Sequence, residues 1–222
     1  MSADLPTQLS YLLEENISDH FYVSKNDDLY YFGEYKSGYG YNECSVNSFI
    51  SNFKKTPDRI RKPEWRHKIS AIDKSAAILS ETCKKFSNYI WVPVPSSKIA
   101  TDPLHDDRLL KVLKKLRFPN KPRILEIITQ ISSREAHHTC GENRPNKEKL
   151  KSNYVFHQDL LKPDDKNFVI FDDVLTTGCH FRACEELIHG WKPDAVITGI
   201  FLARVKRDPM FAPDEDLDFP LP

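Results

Sequence analysis

The residues best suited to chemistry lie together late in the chain. Two adjacent carboxylates, Asp172 and Asp173, are followed after two apolar residues by a small polar turn of Thr176, Thr177 and Gly178. At the start of a helix such a turn presents backbone N–H groups, hydroxyl donors and the positive end of the helix dipole, which suits a phosphate dianion. The carboxylates suit other partners, such as vicinal hydroxyls or a cation, because they repel the same phosphate. A sugar phosphate has both kinds of group.

A strand and a helix are needed to hold these residues in place. Phe168 to Phe171 is a short apolar run typical of a buried strand, and apolar residues from Phe181 to Ile188 recur at helical spacing up to a predicted cap at Gly190. Ligands bind at the carboxyl ends of strands in an open parallel sheet, so we expect the paired acids at the solvent-facing end of this strand. A purely structural alternative treats the acids as ordinary charges at a helix N-terminus, but it does not explain why they are paired.

A second candidate anion site follows an earlier predicted strand. Apolar residues spaced three and four apart between Ile69 and Phe86 predict an amphipathic helix, which leads to a strand from Tyr89 to Val94. That strand ends in a turn containing Ser96, Ser97 and Lys98, whose hydroxyls and ammonium group could bind an anion. An ordinary proline-rich turn is the alternative. The order of the two segments along the chain favours two anion sites on the same sheet edge.

The pattern of apolar strand, Asp-Asp, two residues and Thr-Thr-Gly resembles the phosphoribosyl pyrophosphate (PRPP) motif of type I phosphoribosyltransferases. The resemblance implies an α/β fold in which helices flank a parallel sheet, with a small N-terminal hood-like elaboration. It also implies Mg²⁺ as cofactor and catalytic roles for the paired acids. The implied site residues are Asp172 and Asp173 for the ribose hydroxyls and, indirectly, Mg²⁺; Thr176, Thr177, Gly178, Cys179 and His180 for the 5′-phosphate; and Ser96, Ser97 and Lys98 for pyrophosphate.

Within that family the chain is most similar to the ComF branch, whose members are associated with competence and DNA uptake. The similarity rests on a Pro-Val-Pro at the end of the first core strand, an apolar-Lys segment at Phe53 to Lys55 and a Leu-Ala-Arg-Val strand near the end, and it covers about residues 49–206. Three departures are visible. The four-cysteine zinc module is absent, Asp102 to Arg108 replaces an Arg-Gly-Phe-Asn stretch, and His180 replaces a hydroxyl residue. Asp106 or Asp107 can be explained as an N-cap of the next helix.

A polar segment without periodicity follows a predicted strand from Arg123 to Gln130. Long loops in compact domains are commonly functional or disordered. In the family this position belongs to a mobile loop that closes over the active site, and its cations are candidates to neutralise the leaving pyrophosphate. Taken individually, each is better explained as a solvated charge. The candidates are Arg134, Arg144, Lys147 and Lys149.

Composition and charge limit the other possibilities. Of 222 residues, Lys plus Arg and Asp plus Glu number 32 each, so no overall field favours nucleic acid or membrane. Five scattered cysteines without zinc spacing indicate reduced thiols, and the absence of an apolar span or a signal-peptide pattern predicts a cytoplasmic protein. We expect an N-terminal elaboration over 1–66, a phosphoribosyltransferase core over 67–207 and an acidic, proline-rich tail over 208–222.

The sequence therefore predicts an enzyme of nucleotide metabolism that transfers phosphoribose from PRPP to a nitrogen nucleophile of a small-molecule acceptor, with release of pyrophosphate. A homodimer is compatible with this reading. A non-catalytic sensor of PRPP or nucleotides, or a ComF-like DNA-handling accessory protein, remains the alternative, and only this alternative involves nucleic acid.

Overall fold

The computed structural model describes residues 3–134 and 146–207. Its strands are β1 Ser10–Tyr11, β2 Asp28–Lys36, β3 Ile90–Pro93, β4 Arg123–Ile124, β5 Ile128–Gln130, β6 Tyr154–Phe156, β7 Asn167–Leu175 and β8 Val196–Lys206. Its helices are α1 Ser45–Phe53, α2 Trp65–Thr82, α3 Arg108–Lys114, α4 Lys147–Ser152 and α5 Cys179–Trp191.

Six strands form one mixed but mostly parallel sheet in the order β1-β2-β8-β7-β3-β4. β2, β8, β7, β3 and β4 are mutually parallel, and only β1 is antiparallel to its neighbour. β5 and β6 form a separate antiparallel pair. The predicted α/β class, with a parallel sheet flanked by helices, is confirmed at this level.

The central strands are buried because helices cover the sheet. Residues Phe168 to Phe171 of β7 have no exposed surface, and Leu79 of α2 and Ile188 of α5 are equally buried. A strand covered on both faces carries a continuous apolar run instead of an alternating pattern, which explains the sequence of β7. The predicted central strands and the helices beside them are confirmed, but the predicted cap at Gly190 is wrong, because α5 continues through Gly190 to Trp191.

The connections leaving β3 and β7 run in opposite directions. β3 leads through α3 to β4 on one side, whereas β7 leads through α5 to β8 on the other. Because such crossovers are right-handed, α3 and α5 cover opposite faces of the sheet. The carboxyl ends of β3 and β7 therefore border a topological switch point, where open α/β sheets bind their ligands.

Two features of the fold differ from the sequence expectations. The single strand predicted from Arg123 to Gln130 is divided into β4 in the main sheet and β5 in the small ribbon, so that prediction is wrong. The predicted domain boundary near residue 66 separates strands that belong to one sheet. β2, which precedes the boundary, pairs along its length with β8, which follows it. The separate folding of the two parts and the hood role of the first stay predictions.

Other global predictions are tested only in part. Cys44, Cys83, Cys179 and Cys184 are free thiols, whereas Cys140 and the predicted tail lie outside the described residues. Across residues 3–134 and 146–207, every helix is too short or too polar to cross a bilayer.

Candidate functional site

The paired acids lie within β7 and not at a solvent-facing strand end. β7 continues past Phe171, where β3 ends, and its last residues pair with β8 as far as Leu175 opposite Arg204. Side chains alternate along a strand, so Asp172 and Asp173 point to opposite faces of the sheet. Asp173 is 4% exposed. The expectation that both acids face solvent is wrong, because pairing with β8 keeps this segment in the sheet.

Asp173 is fully engaged by two cations. Arg108, the first residue of α3, donates from Nε at 2.9 Å and from Nη2 at 2.6 Å to Asp173 Oδ2. Lys54, which caps α1, places its Nζ 3.2 Å from Asp173 Oδ1. Charge-assisted bonds of this kind are strong when partly buried. Both carboxylate oxygens of Asp173 are therefore committed to the protein.

The ion pairs continue through Asp106 to a buried lysine. Arg108 Nη1 donates to Asp106 Oδ2 at 2.7 Å, and Lys68 Nζ donates to the same oxygen at 2.6 Å. Lys68 is 1% exposed and also donates to the carbonyl oxygens of Phe53 and Lys55. The network joins α1, α2, α3 and β7. Asp106, one of the acids that replace the Arg-Gly-Phe-Asn stretch, thus serves as a counter-ion, and its Oδ1 also accepts from the Arg108 amide at the helix start.

The two neighbouring acids are held in different protonation states. Burial would raise the pKa of Asp173, but the charges of Lys54 and Arg108 outweigh burial and hold its pKa below the ordinary value. Burial, followed by the charge of Asp173, raises the pKa of Asp172 to about 7. Asp173 is therefore a permanent anion, whereas Asp172 gains or loses its proton near neutral pH.

Asp172 is the acid with a free coordination position. Its Oδ1 accepts from the Asp173 amide at 2.8 Å, which leaves Oδ2 outside that contact. Across residues 3–134 and 146–207, no cluster of three or more His, Cys, Asp or Glu side chains is arranged to hold a metal. Mg²⁺ commonly uses one or two carboxylates together with substrate oxygens and water. The residues present therefore fit a Mg²⁺ that arrives with an oxyanion substrate and is contacted on the protein side by Asp172.

The turn after β7 has the geometry of an anion cradle. Gly178 adopts φ +80°, in the left-handed region, and α5 begins at the next residue. The amides of Thr177 and Gly178 have no hydrogen-bond partner within the described part of the chain, whereas the Cys179 amide donates to Thr177 Oγ1 at 3.4 Å. Two adjacent open N–H groups at a helix N-terminus suit an oxyanion.

His180 and Cys179 occupy the first turn of α5. The half-buried His180 ring has its Nδ1 3.0 Å from the Tyr154 hydroxyl of β6. Cys179 is 1% exposed, and burial raises the pKa of its thiol to about 11 despite the charges of Arg134 and Lys147. Cys179 can contribute its backbone to the turn but not a thiolate at neutral pH.

The loop of Ser96, Ser97 and Lys98 begins beside the paired acids. Pro93 pairs with Phe171, and the Val94 amide donates to Phe171 O at 3.0 Å, so the loop leaves β3 where Asp172 begins. Ser96 Oγ accepts weakly from the amides of Lys98 and Asp106 at 3.4 and 3.5 Å, respectively. The Lys98 ammonium is not within ion-pair distance of a described carboxylate, although its charge acts on Asp102. The structure thus brings the two predicted anion segments to one sheet edge.

The predicted loop cations have different environments. Arg134 donates its amide to Ser97 O at 2.8 Å and its Nε to Gln130 Oε1 at 2.7 Å, which places it against the Ser96–Lys98 loop. Lys147 pairs with Glu186 of α5 at 2.6 Å, and Lys149 is exposed. Arg144 lies outside the described residues. Arg134 is therefore the predicted loop cation whose backbone is hydrogen-bonded to the Ser96–Lys98 loop.

Sequence reasoning missed the cations that hold Asp173 and the histidine behind the turn. Lys54 was marked only as part of an apolar-Lys segment, and Arg108 only as the end of an unusual acidic stretch. His20 contacts the carbonyl of Thr176 across the sheet. A charged residue next to a strongly apolar segment was the only available signal for Lys54, and nothing local distinguished His20.

Comparison with known proteins adds no family assignment. No protein-family model matches the chain, and no curated protein matches it significantly. The site is therefore interpreted from its own geometry.

Proposed function

We propose that the chain binds PRPP together with Mg²⁺ and transfers its phosphoribosyl group to a nitrogen nucleophile, releasing pyrophosphate. The observation that carries the proposal is the convergence of three subsites at the switch point. The open amides of Thr177 and Gly178 follow β7, the carboxylate of Asp172 lies within β7 beside the end of β3, and the loop of Ser96 to Lys98 follows β3. A phosphate, a pair of ribose hydroxyls and a pyrophosphate match these subsites in charge and order.

Each subsite has a defined task in this reaction. The turn binds the 5′-phosphate, and Asp172 accepts hydrogen bonds from the ribose hydroxyls and stabilises the positive charge that develops on the sugar. Lys98 and Arg134 lie where they can neutralise the leaving pyrophosphate. Mg²⁺, when bound, supplies further neutralisation of the pyrophosphate oxygens. The C1′–O bond to pyrophosphate breaks as the C1′–N bond forms, and the nucleophile then loses its proton.

The decisive test is calorimetry of PRPP binding with and without millimolar Mg²⁺, followed by measurement of pyrophosphate release across a panel of purine, pyrimidine and non-base acceptors. Mg²⁺-dependent PRPP binding and pyrophosphate release that depends on one acceptor would support the enzyme. The absence of PRPP binding in the presence of Mg²⁺ would contradict the proposal.

A second candidate is a PRPP- or nucleotide-sensing regulator, or a ComF-like DNA-handling accessory protein, that keeps the pocket without catalysis. The commitment of Asp173 to Arg108 and Lys54 favours it, because one of the two expected ribose ligands is then occupied by the protein. Stoichiometric PRPP binding without pyrophosphate release for any acceptor would support this second candidate. Cytoplasmic localisation, a small-molecule acceptor and a homodimer stay proposals under either reading.

A further inference from the structure

The turn from Thr176 to Gly178, called here the phosphate turn, is contacted by an N-terminal segment from Asp19 to Val23. The two segments lie far apart in the chain. The ring nitrogen Nδ1 of His20 hydrogen-bonds to the carbonyl oxygen of Thr176. The backbone amide of Tyr22 donates to the carbonyl oxygen of Thr177 at 2.8 Å. Two successive carbonyl groups of the turn are therefore directed toward this segment.

The direction of these carbonyls fixes the direction of the amides. The described peptide bonds are all trans. In a trans peptide the C=O and N–H of one unit point in opposite directions. Because Thr176 O and Thr177 O point toward the segment, the N–H groups of Thr177 and Gly178 point away from it. These are the two amides that have no partner within the described residues.

Close packing leaves the turn little freedom to rotate. A Cβ added at Gly178 would lie 2.6 Å from Val23 Cγ2. The segment is itself anchored, because Arg204 Nη1 lies 2.8 Å from Asp19 Oδ2 and Arg182 Nε donates to Tyr22 O at 3.1 Å. Arg204 is 2% exposed. Arg204 in β8 and Arg182 in α5 therefore hold the Asp19–Val23 segment in place. That segment then restricts the phosphate turn.

His20 has the protonation state that this contact requires. A carbonyl oxygen only accepts, so Nδ1 must carry the proton. The residue is 2% exposed, and burial lowers its pKa despite the contact with Thr176, which favours the neutral ring. Nε2 is buried and has no hydrogen-bond partner among residues 3–134 and 146–207. A second proton there would lie unpaired, and although the charge of Asp19 favours it, burial together with the charges of Arg204 and Arg207 lowers the pKa of His20.

We propose that His20 is a positioning residue for the anion-binding turn, in which its Nδ1–H holds the Thr176 carbonyl so that the amides of Thr177 and Gly178 face an oxyanion. This inference rests on the proposed function, since it takes the turn to be the phosphate subsite. His20 acts through the turn and does not touch the ligand.

The test compares two amide substitutions that differ by one methylene. In His20→Asn the side-chain amide nitrogen occupies the place of Nδ1, whereas in His20→Gln it extends to the place of Nε2. Titration of the full chain with ribose 5-phosphate reports on the turn, and titration with inorganic pyrophosphate reports on the Ser96–Lys98 loop. We expect His20→Asn to keep ribose 5-phosphate affinity near that of the wild type. His20→Gln should lose about tenfold or more, since one orienting hydrogen bond is lost.

Pyrophosphate affinity separates positioning from a general structural effect. It should be unchanged in both variants, because the Ser96–Lys98 loop does not contact His20. Equal losses of both ligands in His20→Gln, or equal ribose 5-phosphate affinity in the two variants, would overturn the inference. A wild-type protein that binds neither ligand would instead overturn the proposed function and the inference with it. Melting temperatures of both variants show that folded protein is being compared.

Discussion

Replacing the two neighbouring acids one at a time should change the stability of the protein in opposite directions. Asp173→Asn removes the carboxylate that Arg108 and Lys54 share, so that Arg108 keeps only its ion pair with Asp106, and the side chains of these cations are 22% and 21% exposed. Breaking a buried pair by removing one partner costs about 3–5 kcal/mol. For a domain of this size each kcal/mol corresponds to roughly 2–4 °C, so the melting temperature should fall by roughly 6–20 °C.

Asp172→Asn should have the opposite effect above neutral pH. A carboxyl whose folded pKa is raised from 3.8 to about 7 stabilises the fold below its unfolded pKa, and that contribution is lost as the pH rises through 7. Asparagine stays neutral throughout. The variant should therefore be more stable than the wild type at pH 8, by at most about 4 kcal/mol, and the gain should shrink as the pH falls toward 4.

Thermal unfolding of both variants at pH 8 and pH 5 tests this reasoning. Arg108→Met combined with Asp173→Asn is the matched control. The double variant no longer contains the Arg108 charge, and Lys54 is the remaining cation that has lost Asp173, so the double variant should recover part of the stability lost in Asp173→Asn. An unchanged melting temperature in Asp173→Asn, or equal destabilisation by the two single variants, would refute the division of roles between the acids.

Three further predictions follow from other parts of the structure. Gly178→Ala places a residue with a Cβ at a backbone φ of +80° and should lower the free energy of unfolding by roughly 1–3 kcal/mol. A melting temperature equal to that of the wild type would contradict this. Mg²⁺-dependent PRPP affinity measured by calorimetry should rise from pH 6 to pH 8 as Asp172 ionises, and the rise should be smaller in Asp172→Asn, where only the phosphates of PRPP still titrate. Arg204→Met removes a buried partner of Glu34 and should lower the free energy of unfolding by about 3 kcal/mol or more. Lys206→Met removes an exposed partner of the same acid and should lower it by less than about 1 kcal/mol, as measured by denaturant unfolding.

The strand, turn and helix of the site could be predicted because their signals are local. Four consecutive apolar residues, a small polar turn and helical spacing after Gly178 all lie within one stretch, and β7 and α5 form there. The extension of β7 through Leu175 could not be predicted, because it depends on pairing with Arg204 of β8. In such cases the end of a strand is determined by pairing with a strand that is distant in sequence, and not by the local preferences of its residues.

The roles of the two acids could not be separated from the sequence. Asp172 and Asp173 are identical in type and adjacent, and they differ only in which face of the sheet they occupy. Asp173 meets Arg108, 65 residues away in the chain, and this contact arises only when α3 packs beside β7. His20 was equally hidden, since its contact with Thr176 spans 156 residues.

The parallel pairing of β2 with β8 has a consequence for the order of folding. Asp28 and Thr198, which join the two strands through a side-chain bond of 2.6 Å, are 170 residues apart in the chain. During synthesis β2 emerges long before its partner, and pairing of such high sequence separation is slow because a large loop must close first. The segment that holds the phosphate turn leads directly into β2. We therefore expect assembly of the binding site to be a late event of folding, because one edge of β2 stays unpaired until β8 has emerged, and such an edge favours aggregation of the nascent chain.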